Sequence, residues 1–171
     1  PTDGASPVEI ISRDTIDALS ASTVADITAN LAINSGSENN VDSFTSGATQ
    51  GSTNVNLRGL GLTSTLVLLD GKRHTLAGIA ANDGSVYVNT SIMPVNAIER
   101  VEVLKEGAAS VYGSDAVAGV VNYIFRRDFQ GMEVDVSTQE TDLGGQTDDK
   151  LSVIVGAPVG NGNLVFAISS L

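Results

Sequence analysis

The stretch Ile98–Ile124, IERVEVLKEGAASVYGSDAVAGVVNYI, constrains the fold more than any other part of the chain. Apolar and charged residues alternate at its start, as in a strand that buries one face. Gly107 turns the chain, a helical turn covers 108–112, and Gly113 ends that turn. The run 116–125 then predicts a second buried strand. The unit is rigid and cornered by glycine, yet it holds no Cys or His that could carry out chemistry.

The composition limits the size and the partners of the molecule. Its 171 residues suit one domain, or one domain and part of another. Hydrophobic residues make up 42% and aromatic ones only 4%, so the core must consist mainly of Val, Leu, Ile and Ala. The net charge of −11 argues against nucleic acid, which is bound mainly through Lys and Arg. An acidic surface suits a solvent-filled lumen, a basic partner, a cationic ligand or simple solubility.

The residues that could carry out chemistry form no convergent set. The chain has no cysteine, which excludes disulfides, thiolate nucleophiles and Cys-based zinc sites. The one histidine, His74, lies near Asp70 but lacks the strand–turn–helix that surrounds a nucleophile, and we expect it in a surface loop. The glycines of 59–64 lack the third Gly and the βαβ context of a dinucleotide site. We therefore expect no enzymatic activity, no cofactor and no bound metal.

Local signals at the N-terminal end predict a strand and two short helices. The apolar run 6–12 predicts the strand, and Ser12 can cap the first helix. Thr23, with Asp26 three residues later, resembles a capping box at the start of the second helix. The apolar positions expected to face inward are Ile16 and Leu19 in the first helix, and Val24, Ile27 and Leu31 in the second.

In the middle of the chain, the sequence predicts a β-hairpin with a loop on each side of it. The polar segments 36–53 and 77–85 predict loops. An apolar run at 66–69 followed by Asp70-Gly71 predicts a β-hairpin. A short strand is expected within 86–94, after which Pro94 opens a helical turn.

The sequence pattern changes after Phe129. Met132, Val134 and Val136 alternate with polar residues, and two further alternating runs flank the turn sequence at 160–163. The sequence contains no run of about 18 apolar residues, so it predicts no transmembrane helix. The pattern predicts three successive antiparallel strands, and it places a boundary near Phe129.

Read together, these segments resemble the plug domain of TonB-dependent outer-membrane receptors of Gram-negative bacteria. The resemblance is carried by NLRGLG (Asn56–Gly61), TLVLLDGKR (Thr65–Arg73), the long unit Ile98–Ile124, and the approach VEIISRDTIDAL…TVADITANL. It implies an α+β fold, in which a small mixed-sheet plug with short helices fills the lumen of a large β-barrel. Incomplete antiparallel barrel strands then follow the plug. The domains expected are a linker remnant at 1–7, the plug at 8–129 and the first barrel strands at 130–171.

The resemblance also implies roles for three charged residues. Arg58 matches the family's plug arginine in NLRG, and Glu99 with Arg100 matches an acidic–basic pair before VEV. In the family such residues latch the plug to carboxylates of the barrel wall, a pairing that suits the planar fork of arginine. The alternative is that they are ordinary charges paired locally at strand edges. Candidate ligand-facing residues lie in the two predicted loops: Asn39, Asn40, Asp42, Phe44, Asn82 and Asp83.

The expected role is the gate of an energised importer that closes the barrel lumen and helps to bind substrate. The expected partners are the protein's own β-barrel, TonB of the periplasmic energy-transducing complex, and a small molecule. Ferric siderophores, vitamins and carbohydrates all remain open as substrates. We expect the TonB-contacting motif upstream of Val8, the full-length protein in the outer membrane, and this part of it soluble and facing the lumen and periplasm. The alternative is a stand-alone module that binds a ligand or a protein without transport.

Overall fold

The computed structural model describes residues 8–35, 37, 51–105, 108–140 and 147–170. These residues form three short helices, a mixed five-stranded sheet and a separate antiparallel three-stranded sheet. The predicted α+β fold, with a small mixed sheet, short helices and C-terminal antiparallel strands, is confirmed. None of the helices in the described ranges has the length and apolar character needed to span a membrane.

The N-terminal elements are β1 (Val8–Ser12), α1 (Arg13–Ala18) and α2 (Val24–Ala29). Both predicted caps are present: the Ser12 hydroxyl accepts from the Thr15 amide, and Thr23 with Asp26 forms a complete capping box. Leu19, predicted to face inward, is exposed instead. The reason is that α1 ends at Ala18, and Ser20 at φ 50° turns the chain before a further turn can form.

Four strands join β1 in the first sheet, in the order β1-β4-β5-β2-β3. They are β2 (Thr65–Leu69), β3 (Lys72–Arg73), β4 (Ile98–Leu104) and β5 (Gly119–Phe125). All neighbours are antiparallel except β2 and β5, which run parallel. The helical turn between β4 and β5 is α3 (Ala109–Tyr112), which Gly113 at φ 89° ends as predicted.

The hairpin predicted at Asp70-Gly71 joins β2 to β3, with φ of 49° and 75° at the two turn residues. Positive φ at both positions matches the twist of the flanking strands. The strand predicted within 86–94 is wrong, because these residues form no strand. Their backbone bonds instead join them to other loops: the Ala77 amide donates to the Tyr87 carbonyl at 2.7 Å, and the Thr90 amide donates to the Thr53 carbonyl at 2.9 Å.

The first sheet is covered on both faces. One face carries the main core, which packs against α1 and α2 and includes the fully buried Val101, Val121 and Tyr123. At the opposite face a smaller cluster packs Leu66 and Val120 against the segment 108–116. Hydrogen bonds fix α1 to this framework, since the Arg13 guanidinium donates to the carbonyls of Val95 and Ile98 at 2.8 and 3.0 Å.

The buried Tyr123 gives the fold a pH dependence that can be measured. Burial raises the pKa of its phenol to about 12, while an unfolded tyrosine titrates near 10. Ionisation therefore favours the unfolded chain as the pH rises from 10 to about 12, and the free energy of unfolding falls by about 2–3 kcal/mol. In urea melts, we expect Tyr123→Phe to remove this part of the decline in the free energy of unfolding. Between pH 6 and 9, that free energy should depend on pH in the same way with and without the substitution. An unchanged alkaline decline would contradict the assignment.

The second sheet consists of β6 (Gly131–Glu140), β7 (Thr147–Val159) and β8 (Gly162–Ser170), in that order. A two-residue turn at Gly160-Asn161 joins β7 to β8, as the sequence predicted. Only residues 126–130 separate β5 of the first sheet from β6 of the second. The domain boundary near Phe129 falls in this short connection and stays a prediction.

Candidate functional site

The second sheet exposes its apolar face. Side chains opposite one another in the strand register share a face, so Val134, Val153 and Ile168 lie on the same side. Nine large apolar residues on that side are between 40% and 72% exposed: Met132, Val134, Val136, Leu151, Val155, Val159, Leu164, Phe166 and Ile168. A sheet of a globular protein would bury such a face against its core.

The polar face of the same sheet packs against the first sheet's side of the molecule. Lys150 is 8% exposed, Ser152 2% and Ile154 0%. The Lys150 ammonium donates to the Ala21 carbonyl at 3.3 Å, and the Asn96 amide donates to the Ile168 carbonyl at 3.4 Å. The polarity of the second sheet is thus largely inverted, with its large exposed side chains apolar and with Lys150 and Ser152 buried beside Ile154 on its inner face.

A polar cavity of about 330 Å³ lies between the two parts. Its charged walls come from α1 and from the polar face of the second sheet: Arg13, Asp17, Glu133, Asp135 and Lys150. The hydrogen bond from Arg13 holds the pKa of Asp17 below its usual range. The cavity therefore combines three carboxylates with two cationic groups at the interface.

Arg126, directly after β5, links the two sheets. Its guanidinium donates to both oxygens of Glu133, at 3.2 and 3.1 Å, and to the Asn96 carbonyl at 3.3 Å. A second carboxylate, that of Glu99, lies 4.0 Å away. The guanidinium also stacks 4.3 Å from the centre of the Phe129 ring. With its side chain only 14% exposed, Arg126 is the most enclosed cation of the ion pairs described.

Asn163 on β8 holds the connection against the second sheet. Its amide donates to the carbonyls of Arg127 and Phe129 at 3.0 and 2.7 Å. A Cβ atom at Gly156 would lie 1.9 Å from the Phe129 carbonyl oxygen, so only glycine allows this approach. The connection is therefore packed on the sheet along most of its length.

The predicted latch residues Glu99 and Arg100 lie together at the start of β4. A register shift between Ile98 and Arg100 makes Glu99 the extra residue of a β-bulge. Arg100 donates to Glu102 at 2.8 Å, and Glu102 accepts from Asn122 at 3.1 Å. Within the described residues, Arg100 and Glu99 thus have partners on their own sheet or at the adjoining Arg126.

Arg58 lies apart from the other two predicted latch residues. Its guanidinium donates to the Lys105 carbonyl at 2.6 Å, just beyond the far end of β4. Lys105 is five residues from Arg100, which is about 17 Å along a strand. Arg58 is held at φ 59°, a left-handed conformation, by a bend of the chain before Gly59. The latch role of all three residues stays a prediction.

The predicted ligand-facing residues are only partly described. Asn39, Asn40, Asp42 and Phe44 lie outside the described residues. Asn82 and Asp83 are exposed in a turn, where Asp83 accepts from the amide and hydroxyl of Ser85 at 2.8 and 2.9 Å. These bonds, chiefly the one from the Ser85 amide, lower the pKa of the Asp83 carboxyl. His74 lies in a loop, and among the described residues no cluster of acids and histidines could hold a metal.

Sequence reasoning missed four residues of the interface: Arg126, Glu133, Lys150 and Asn163. A signal for Glu133 was present, because it alternates with Met132 and Val134 and must lie on the opposite face. Nothing in the sequence shows that Arg126 would meet Glu133, since that contact depends on how the connection folds.

Three comparisons place the chain among known proteins. A family model described as the TonB-dependent receptor plug domain matches residues 1–120. The iron-regulated outer membrane virulence protein of Vibrio cholerae is 43% identical over 79 residues, which are 46% of this chain and 12% of that protein. Two solved structures share the fold. A variant of the ferric enterobactin receptor of Pseudomonas aeruginosa, in complex with enterobactin, has a TM-score of 0.63 at 22% identity. The siderophore receptor PirA of Acinetobacter baumannii has a TM-score of 0.62 at 24% identity.

The chain spans only a part of these relatives. It is covered to 98% by the Pseudomonas structure and to 95% by the Acinetobacter structure, but it corresponds to 25% and 24% of their lengths. At these identities the structural likeness establishes the fold.

Proposed function

The chain belongs to the TonB-dependent receptor plug domain family, and from this premise we propose that it is the gate of an outer-membrane importer together with the start of the importer's wall. Residues 8–129 are the plug that closes the lumen, and residues 130–171 are the first strands of the β-barrel. Residues 1–7 are proposed as a linker.

The inverted polarity of the second sheet is the observation that carries this proposal. Strands of an outer-membrane barrel alternate between apolar residues that face lipid and polar residues that face the interior. The second sheet has this alternation, with nine exposed large apolar residues on one face and Lys150 and Ser152 buried on the other. Its polar face covers part of the plug, which is the arrangement expected where a barrel wall meets the domain inside it.

The proposed substrate is a ferric siderophore, carried inward at the expense of energy delivered by TonB. Support comes from the relatives, one described as iron-regulated and two as receptors for enterobactin or siderophores. The family is one of receptors, and we propose that this chain has no enzymatic activity. The complete receptor, meaning this chain with the rest of its barrel, is proposed to lie in the outer membrane.

Arg58 and Arg100 are proposed to latch the plug to carboxylates on parts of the wall beyond the second sheet. Arg58 is exposed, and the Arg100 side chain is 41% exposed although it pairs with Glu102. Both therefore present donors at the surface of the plug. In the closed lumen these donors would meet wall carboxylates in a partly desolvated space, where charge-assisted bonds are strong.

The double change Arg58→Ala with Arg100→Ala tests the gate. In the 171-residue chain we expect each change to alter the free energy of unfolding by only about 0–1 kcal/mol, because ion pairs and hydrogen bonds of exposed side chains contribute little. In the complete receptor, removal of the cation from a buried pair costs about 3–5 kcal/mol. We expect the plug to loosen, with faster entry of a small hydrophilic solute into liposomes that contain the receptor.

Lys72→Ala, on the exposed strand β3, is the matched control. It should leave both the free energy of unfolding and the rate of solute entry unchanged. A large loss of stability in the 171-residue chain, together with an unchanged solute leak in the receptor, would show that the two arginines are local structural residues.

A further inference from the structure

We propose that Arg126 is a positioning residue that fixes the angle between the five-stranded sheet and the three-stranded sheet. It directly follows the last residue of β5, and β6 begins five residues later at Gly131. A connection this short leaves few ways for the two sheets to be arranged, and one side chain can select among them.

The five residues 126–130 that connect the two sheets are called the joint. The Arg126 guanidinium has contacts on both sides of it. The Asn96 carbonyl and the Glu99 carboxylate belong to the first sheet's side, and Glu133 belongs to the second sheet. The bonds to Glu133 are bidentate, which fixes direction as well as distance. The Arg126 side chain is only 14% exposed and that of Glu133 is 47% exposed, so the arginine end of the pair is shielded from water while the two sheets are in contact.

The backbone of the connection reinforces the same geometry. The Arg126 amide donates to the Ala97 carbonyl at 2.8 Å on the first sheet's side. Three residues later, the Phe129 carbonyl accepts from Asn163 on the second sheet at 2.7 Å. The connection is therefore tied to one sheet at its start and to the other near its end, with Arg126 bonded to both.

Repulsion between carboxylates is the reason that we expect the two sheets to move apart without Arg126. The cavity between the sheets holds the carboxylates of Asp17, Glu133 and Asp135 against two cations, Arg13 and Lys150. Arg126 supplies a further cation at Glu133. Its removal would leave an excess of negative charge between the two sheets, and like charges in a partly enclosed space repel strongly.

A consequence for transport rests on the proposed function. A plug that is fixed to the first wall strands at Arg126 keeps its C-terminal end in place.

Distances between spin labels test the joint directly. The chain has no cysteine, so Lys72→Cys on β3 and Asn161→Cys in the β7–β8 turn would provide two unique labelling sites. We expect one narrow distance distribution with Arg126 in place. With Arg126→Gln we expect that peak to be lost to a broad distribution, and with Arg126→Lys, which cannot form the bidentate pair, a partial broadening.

Arg127→Gln is the matched control, because the neighbouring Arg127 is exposed and pairs with Asp70 inside the first sheet at 2.9 Å. It should leave the distribution unchanged. If Arg126→Gln unfolds the chain, Glu133→Gln tests the bidentate pair by itself, because it removes the partner on the second sheet without adding negative charge. A narrow, unshifted distribution in Arg126→Gln, or in Glu133→Gln where the former does not fold, would overturn the proposal. The measurement uses no membrane or transport, so its failure would leave the proposed gate standing.

Discussion

Gly119→Ala is expected to lower the free energy of unfolding by about 2–5 kcal/mol, enough to unfold much of a marginally stable chain. Gly119 starts β5 with φ at 140°, where a side chain is strained. An added Cβ would also lie 2.7 Å from the Leu104 carbonyl oxygen and 2.8 Å from a methyl group of Leu57. Contacts this short force either the backbone or a core side chain to move.

The position is sensitive because three segments meet there. Leu104 ends β4, Leu57 is a fully buried member of the main core, and Gly119 opens the central strand β5. Movement of the Leu104 carbonyl would disturb the pairing of β4 with β5. Movement of Leu57 would disturb the packing below it, where interiors are too dense to absorb a methyl group freely.

Gly113→Ala is the matched control for backbone strain alone. Gly113 has φ at 89°, but an added Cβ would meet nothing within 4 Å. We expect a cost of about 1–2 kcal/mol there, so urea melts of both variants separate strain from collision. Equal losses at the two positions would contradict the claim that the junction at Gly119 is closely packed.

Local chemistry explains which parts of the fold could be predicted from the sequence. The caps at Ser12 and Thr23, the turn at Asp70-Gly71 and the end of α3 at Gly113 all depend on residues within a few positions of one another. For the same reason the sequence could predict the alternation in β6. Successive side chains of a strand point to opposite faces, so Met132 and Glu133 lie on opposite faces whatever surrounds them.

The parts that could not be predicted depend on distant contacts. The residues 86–94 have apolar residues at strand spacing, but their amides and carbonyls bond to loops at Thr53 and Ala77. The prediction that Leu19 faces inward was wrong because α1 ends one residue earlier than its apolar spacing suggests. The meeting of Arg126 with Glu133 requires the fold of the whole connection, including the approach of Phe129 to Gly156.

Arginine substitutions on the exposed apolar face are expected to have large effects only in a membrane. Val136 is 72% exposed and Phe166 is 62% exposed, so Val136→Arg or Phe166→Arg removes little packing in the 171-residue chain. In water we expect changes within about 0.5 kcal/mol. In the proposed complete receptor the same positions would face the hydrocarbon, where an arginine costs about 2–4 kcal/mol at the bilayer midplane and less toward the interfaces.

Ser137 is the matched control, since it is exposed, follows Val136 on β6 and lies on the polar face that borders the cavity. Ser137→Arg would place its charge in the lumen, and we expect a loss below about 1 kcal/mol. The comparison of adjacent positions removes differences of depth and of strand position.

The most direct test is therefore the free energy of unfolding of the complete receptor in lipid vesicles, measured for Val136→Arg, Phe166→Arg and Ser137→Arg. If the second sheet is the start of a barrel wall around a plug, Phe166→Arg, in the middle of the apolar face, loses about 2–4 kcal/mol. Val136→Arg, at the end of that face, loses less than Phe166→Arg but more than Ser137→Arg, which loses little. Equal losses at Val136 and Ser137, or an apolar face that tolerates arginine in the bilayer, would contradict the account.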